Sequence, residues 1–232
     1  MEKDLEALKE ALPDFKQVQQ RFLALRSEAT PETMAALKEA IDKHAQAPLY
    51  EQMCEELLVT PDADFLARLK ARNEEAAKKL DEMQKDAEEN LGESEVREAF
   101  VARAIHLARI GSSPDVVRAA CDEAEKRTVA LGQKLDLHFL VIRVALFFND
   151  LKTAQAATEK AKALLEKGAD WDRKNRLKVY EGVQALRRRD FKAAAEQFLD
   201  TLSTYSCDEL FDHCEFVALS TAVALPVLGR AE

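Results

Sequence analysis

Three residues near the C-terminal end of the sequence, Cys207, His213 and Cys214, are of types that bind metals or act as nucleophiles. A zinc site needs four ligands in a tetrahedral arrangement, and no fourth Cys or His lies near them in the sequence. A catalytic thiolate needs an activating base and an orienting group, and no nucleophile motif or glycine-rich phosphate loop accompanies these residues. The sequence therefore predicts packing residues here. We expect no catalytic residues, no metal, no cofactor and no small-molecule substrate, and a chain that is not an enzyme.

A group of basic residues stands out in a chain whose formal net charge is −9. Solvated flanks of one helix would explain it, with the last three arginines complementing the negative C-terminal end of that helix. The alternative is an ion-paired contact with an acidic protein surface. Nucleic acid is not expected, because the chain is acidic and no aromatic residues for base stacking are interleaved with the basic ones. The candidate partner-contact residues are Arg173, Lys174, Arg176, Arg187, Arg188 and Arg189.

Helices must position these residues, because the composition favours helices throughout. The 232-residue chain has only 6 Gly and 6 Pro, and it is dominated by Ala, Leu, Glu and Lys, which lose little side-chain freedom in a helix. No convincing stretch alternates apolar and polar residues as a strand would. The most apolar run, from Leu137 to Phe148, is interrupted by His138 and Arg143 and is shorter than the ~20 residues that cross a bilayer. We expect an all-α chain that does not enter a membrane.

Capping residues divide the chain into about ten helices. Thr-Pro and Ser-Pro pairs predict helix starts at Pro31, Pro61 and Pro114, each preceded by a hydroxyl that caps the helix. Four glycines that follow helical patterns predict left-handed C-terminal caps; they are Gly92, Gly111, Gly132 and Gly168. The predicted organisation is short helices in residues 1–60, a long charged helix in residues 61–92, and helical repeats in residues 93–232. The long helix carries one narrow apolar stripe, so it either lies on its neighbours or faces a partner.

The second half of the chain repeats. Three similar segments begin with Asp115, Asp150 and Asp190, which are 35 and 40 residues apart, a spacing typical of two-helix repeats. Each segment opens the second helix of a pair, and the first helices are expected near residues 94–110, 135–149 and 172–188. The last pair resembles the tetratricopeptide repeat in part. Residues expected to pack the repeats together are Gly182, Asp190, Phe191, Ala194, Phe198, Ala154 and Trp171, the last as a staple between neighbouring repeats.

Longer segments resemble a known family. Residues 86–97, 128–132 and 158–206 are similar to the PCI family, whose members are subunits of the proteasome lid, the signalosome and an initiation-factor complex. The likeness covers roughly residues 48–232 and is dense over residues 160–204. The run EKGADWDRKNRLKVYEG, from Glu166 to Gly182, favours the lid members over the signalosome members.

The resemblance implies a right-handed helical-repeat solenoid, followed in the family by a C-terminal PCI domain that ends in a winged helix. No winged-helix pattern begins before Glu232, so we expect this chain to lack that domain, either as the N-terminal part of a longer protein or as a short divergent form. The resemblance also implies a scaffold located in cytoplasm and nucleus, with other proteasome lid subunits and ATPase base subunits as partners. The alternatives are a signalosome subunit and a free-standing peptide-binding adaptor.

Overall fold

The described part of the chain is all-α. The computed structural model describes residues 15–26, 28–168 and 170–229, and in these ranges it has eleven α-helices, one short 3-10 helix and no β-strand. The chain divides into two compact units, the first ending at Thr128 and the second beginning at Val129. Within the described residues no helix is both long and apolar enough to cross a membrane. The all-α helical-repeat fold class is confirmed, whereas the predicted domain division at residues 60 and 92 stays a prediction.

The first unit contains six helices in its described residues. In chain order they are α1 (Phe15–Leu25), α2 (Pro31–Lys43), α3 (Ala47–Leu57), α4 (Ala63–Asn90), α5 (Glu93–Arg109) and α6 (Pro114–Lys126). Helices α4 and α5 pack together as one hairpin, and α5 also packs against α6. The three short helices α1 to α3 pack against one another, and α3 contacts α4.

The long helix α4 is mostly solvated. Over its 28 residues only Phe65, Leu69 and Ala87 are buried, which agrees with the single narrow apolar stripe. Asp62 caps its first turn, since its carboxylate accepts a hydrogen bond from the backbone N–H of Phe65 at 3.2 Å. The predicted start at Pro61 with Thr60 as cap is therefore wrong by two residues, because the Asp62 carboxylate takes the capping role.

The second unit contains five helices and a 3-10 turn in its described residues. They are α7 (Leu131–Phe147), α8 (Leu151–Leu165), α9 (Trp171–Arg187), α10 (Phe191–Thr201), the 3-10 helix Leu202–Thr204, and α11 (His213–Ala224). Helices α7 and α8 form one hairpin and α9 and α10 form the next. Every residue of α7 from Leu135 to Phe147 is buried, so this helix is enclosed by its neighbours.

The two hairpins of the second unit turn in the same way. Asn149 and Arg189 adopt the left-handed conformation, with φ of 59° and 63°. The next residues, Asp150 and Asp190, donate their backbone N–H groups back to the preceding helix at 2.8 and 2.9 Å, as in a Schellman motif. Each aspartate then caps the following helix with its side chain. Each of these aspartates thus ends one helix and starts the next, which fixes the tight hairpin of the repeat.

The predicted glycine caps are correct in part. Gly111 and Gly168 have φ of 75° and 112° and occupy turns, as predicted. Gly92 instead has φ of −88° and precedes α5 as its N-cap. Gly132 lies in the first turn of α7, where an added Cβ would lie 3.0 Å from Cζ of Arg173. These two glycines are thus wrong as C-terminal caps, and Gly132 is instead approached closely by an arginine side chain.

Candidate protein-contact site

The basic residues of α9 do not form one surface cluster. Lys174 is exposed near the start of the helix, whereas Arg188 and Arg189 are exposed at its C-terminal end. These ends are separated by about 20 Å along a helix of this length. Arg187 is only partly exposed and donates a hydrogen bond to the side-chain oxygen of Asn149 at 2.9 Å. Burial lowers the pKa of Arg187.

Arg173 ties the start of α9 to α7. It donates two parallel hydrogen bonds to the Asp136 carboxylate, from Nε at 3.0 Å and from a terminal nitrogen at 2.7 Å. It also pairs with Asp170, the cap of its own helix. The hydrogen bonds to Asp136 raise the pKa of Arg173, although its partial burial opposes them. Bidentate pairs of this kind hold a defined geometry, so Arg173 fixes the entry of the second hairpin.

Arg176 is buried and is not part of the surface. It is 5% exposed and donates to the Glu209 carboxylate at 2.6 and 3.1 Å, and one of its nitrogens lies 3.6 Å from Asp136. A second donor to Glu209 is the hydroxyl of Tyr180, at 3.2 Å. The prediction of partner contact by Arg176 is wrong, because its charge is neutralised inside the unit.

Glu209 belongs to the connector between α10 and α11. Burial alone would raise the pKa of this carboxyl, but the charge of Arg176 and its hydrogen bonds lower it below its ordinary value. Arg143 is also buried beside Tyr180 and Glu209, and burial lowers the pKa of its guanidinium. Because each of these charges is stable only with its partners, the network pins the connector against α7 and α9.

Asp136 and Glu209 were not predicted from the sequence, although the sequence carries a signal for the buried polar network to which they belong. The polar residues that interrupt α7 lie in an otherwise apolar helix, and a buried polar group must find a partner. That rule predicts a polar network around α7. It does not say which distant carboxylate completes the network, because Glu209 follows α7 by more than sixty residues.

Most of the predicted repeat-packing residues lie inside the hairpins. Gly182, Ala194, Phe198 and Ala154 are buried. An added Cβ at Gly182 would lie 2.7 Å from Cδ1 of Phe198, so glycine is required for this aromatic ring to reach α9. Asp190 accepts a hydrogen bond from the backbone N–H of Ala193 at 3.1 Å.

Two of the predicted packing residues are on the surface instead. Trp171 is 63% exposed, and Phe191 is exposed at the start of α10. With this exposure Trp171 does not staple neighbouring repeats. The single tryptophan of the chain is therefore an exposed aromatic side chain on a firmly anchored helix end. Exposed aromatic residues of this kind are enriched at the energetic centres of protein interfaces.

Cys207 and Cys214 lie in different environments. Cys207 is buried, and its burial together with the nearby charge of Glu209 raises the pKa of its thiol well above the ordinary value. Cys214 is exposed on the first turn of α11. Among residues 15–26, 28–168 and 170–229 no group of three or more His, Cys, Asp or Glu side chains could hold a metal ion.

An apolar surface lies between α10 and α11. Leu225 is 76% exposed, and Leu199 and Leu228 are also exposed beside it. Together with Leu202 and Ala224 they line an open groove. Clustered apolar exposure on this scale is typical of protein-contact surfaces.

The family follows from comparison of the sequence with known proteins. The family described as "26S proteasome subunit RPN7" matches residues 62–232, which is most of the chain.

The chain belongs to the RPN7 family.

Curated members of the RPN7 family from distant organisms are similar to this chain. The "26S proteasome non-ATPase regulatory subunit 6 homolog" of Arabidopsis thaliana is 43% identical over 190 residues, covering 82% of this chain and 49% of the relative. The corresponding protein of Dictyostelium discoideum is 39% identical over 206 residues, covering 89% of this chain and 54% of the relative. The "26S proteasome regulatory subunit rpn7" of Schizosaccharomyces pombe is 35% identical over 211 residues, covering 88% and 52%. The chain spans about half the length of the curated RPN7 relatives that it matches.

The RPN7 match begins at residue 62, one residue before α4. It therefore includes the long helix, the hairpins and the buried network around Glu209. The exposed Trp171 and the basic residues of α9 also lie within it. All of the candidate contact residues thus belong to the part of the chain that is shared with the family.

Proposed function

We propose that this chain is a non-catalytic scaffold segment of the 26S proteasome regulatory particle lid, where it mediates protein contacts in ubiquitin-dependent protein degradation. The observation that carries the proposal is the match of residues 62–232 to a family described as a 26S proteasome subunit. Relatives named as 26S proteasome regulatory subunits support it.

The geometry is suited to a scaffold. The helices of the second unit are held in a defined arrangement by the tight turns at Asn149 and Arg189 and by the Arg173–Asp136 pair. A framework of this kind keeps its surface side chains in place before a partner arrives, and such preorganisation reduces the entropy lost on binding. The mechanism is contact geometry, with no bond made or broken.

The proposed partners are other lid subunits and ATPase base subunits, in cytoplasm and nucleus. Of the predicted contact residues, Lys174, Arg188 and Arg189 are exposed. We propose that they meet acidic surfaces of these partners, and that Trp171 adds an aromatic contact. Charged residues at the rim of an interface mainly affect the association rate and its salt dependence, whereas an aromatic anchor affects dissociation.

The assignment is tested by purifying the tagged full-length parent protein from its own cells and identifying the co-eluting proteins by mass spectrometry. Recovery of lid subunits and proteasomal ATPases is expected. Recovery of signalosome subunits alone would replace the assignment by the related complex, and recovery of peptide clients or chaperones alone would favour an adaptor.

The absence of catalysis is tested on the same purified particles. Particles that carry Cys207→Ser or Cys214→Ser are expected to degrade a ubiquitinated substrate at the wild-type rate, because the proposed scaffold role uses neither thiol. A specific loss of turnover in fully assembled variant particles would contradict the non-catalytic assignment.

A further inference from the structure

An apolar groove runs between the C-terminal half of α4 and the facing side of α5. Its volume is about 390 Å³. Met83 and Leu91 lie on the α4 side and are each 53% exposed. Ala99, Val101 and Ile105 of α5 are buried and form the floor. Met83 and Leu91 lie over this apolar floor, so an apolar side chain of another protein can pack against them.

Carboxylates surround this groove. Asp86, Glu95 and Glu98 line it and are exposed. Glu98 pairs with Arg97 at 3.3 Å, and Asp86 accepts a hydrogen bond from the Asn90 amide at 2.8 Å. In the part of the chain that the structure describes, no basic side chain lies within ion-pair distance of Asp86 or Glu95.

The end of α4 adds further negative charge. The C-terminus of a helix carries a partial negative charge that favours Lys, Arg or His nearby. The last turn of α4 has no basic residue, and it contains Glu88 and Glu89. By contrast, α2, α5, α6, α8 and α9 each have a basic residue in the last turn. The end of α4 therefore lacks the cation that half of the other helices provide for themselves.

We infer that this groove, defined by Met83, Asp86, Leu91, Glu95 and Glu98, binds a protein segment that carries an apolar side chain flanked by lysine or arginine. The apolar side chain covers Met83 and Leu91, and the basic side chains neutralise the carboxylates and the end of α4. A nucleic acid or an anionic membrane surface is repelled by the same charges. The inference rests on the proposed function, because the segment belongs to a neighbouring subunit of the same particle.

The first test maps the occupant directly. A photo-crosslinking amino acid is placed at position 83 of the full-length parent protein in its own cells, and the crosslinked peptide is identified by mass spectrometry. The control carries the same amino acid at position 74, an exposed site nine residues earlier and about half a turn around α4. We expect position 83 to capture one peptide that has an apolar residue within four positions of a lysine or arginine. No crosslink at position 83, an acidic peptide, or a nucleic acid or lipid would overturn the inference.

The second test removes the charge complementarity. Asp86→Lys with Glu95→Lys is compared with Glu74→Lys and Glu196→Lys, which makes the same change in net charge on exposed side chains that line neither the groove nor the last turn of α4. All four side chains are exposed, so both proteins are expected to fold. The groove variant is expected to lower the yield of the position 83 crosslink by about tenfold or more, since like charges now face each other. Equal yields from both variants would contradict the inference.

The two proposals fail in distinguishable ways. If proteasome subunits do not co-purify with the wild-type protein, the proposed function fails. If they co-purify while position 83 captures nothing, the scaffold assignment stands and the inference about the groove fails.

Discussion

Glu209 shows how one buried carboxylate holds a connector in place. It accepts hydrogen bonds from Arg176 and Tyr180 in a site that is closed to water. Removing one member of a buried ion pair leaves the other charge without compensation, which is strongly destabilising. Replacing both members of an isolated pair by apolar residues of similar size costs much less, because no charge is then left without a partner.

Glu209→Gln is expected to lower the free energy of unfolding by about 3 kcal/mol at neutral pH, since the amide keeps a hydrogen bond to Arg176 but loses the charge. Urea denaturation followed by circular dichroism measures this. Exposed Glu196→Gln is the control, with a change below ~0.5 kcal/mol. If Glu209→Gln matched the control, the network would have no structural role.

The same residue predicts a pH dependence. The pKa of Glu209 lies below its ordinary value of 4.5 in the folded chain. Its contribution to stability is therefore complete above pH 4.5 and is lost as the pH falls through the lower, folded-state pKa. The stability difference between wild type and Glu209→Gln should shrink below pH 4.5. A difference that grows on acidification would contradict the lowered pKa.

Trp171 gives a direct optical test of exposure, because it is the only tryptophan. At 63% exposure its fluorescence maximum should lie close to that of tryptophan in water, and iodide should quench it efficiently. The control is the same chain in urea, where quenching should increase only slightly. A blue-shifted emission protected from iodide would mean that Trp171 packs between repeats after all.

At the scale of the helices, single capping residues define the hairpins. Asp150 and Asp190 occupy equivalent positions, and both accept hydrogen bonds from the backbone three residues later, at 3.0 and 3.1 Å. Asp190→Ala is expected to destabilise the chain by about 1 kcal/mol, and Asp190→Asn by much less, since asparagine also caps helices. Thermal and urea unfolding measure both. Equal losses for the two variants would show that the charge, rather than the cap, is what matters.

The contact between the paired helices α9 and α10 depends on a glycine. Gly182→Ala would force a methyl group into the ring of Phe198, and overpacking of this kind costs about 1–3 kcal/mol. In a Phe198→Leu background the space is larger, so Gly182→Ala should be close to neutral there, helped by the higher helix propensity of alanine. Urea denaturation of the four proteins gives the coupling. Additive effects would show that the two side chains do not meet.

Much of the fold could be predicted because its signals are local. The expected first helices at residues 94–110 and 172–188 correspond to observed helices Glu93–Arg109 and Trp171–Arg187. The aspartate caps and the Gly182 contact also depend on residue type and spacing. The glycine caps were less predictable, because Gly92 and Gly132 serve a helix start and an arginine contact instead.

The contact site was harder to predict for a physical reason. A run of basic residues on one helix is typical of an exposed surface. In the structure, however, Arg173 pairs with a carboxylate on α7, and Arg176 pairs with one on the connector between α10 and α11. These pairings depend on tertiary structure, which single-helix periodicity does not encode. Trp171 was misassigned for the same reason, because its exposure also depends on tertiary structure.

The proposed role of the whole protein is assembly rather than a reaction. The described residues form helices, and a few buried polar groups such as Arg176 and Glu209 pair with one another inside them. The surfaces left for partners are the exposed aromatic and basic residues of α9, the apolar groove beside Leu225, and the acidic groove beside Met83. A scaffold with several such surfaces should affect the composition of a particle more than the chemistry within it.

The most direct test of this claim is to deplete the full-length parent protein from its own cells and to weigh the remaining regulatory particles by native mass spectrometry. We predict particles that lack this protein together with neighbouring lid subunits, and restoration of the full composition by wild type and by Cys207→Ser alike. A complete set of the other lid subunits in particles without this protein would contradict the scaffold account.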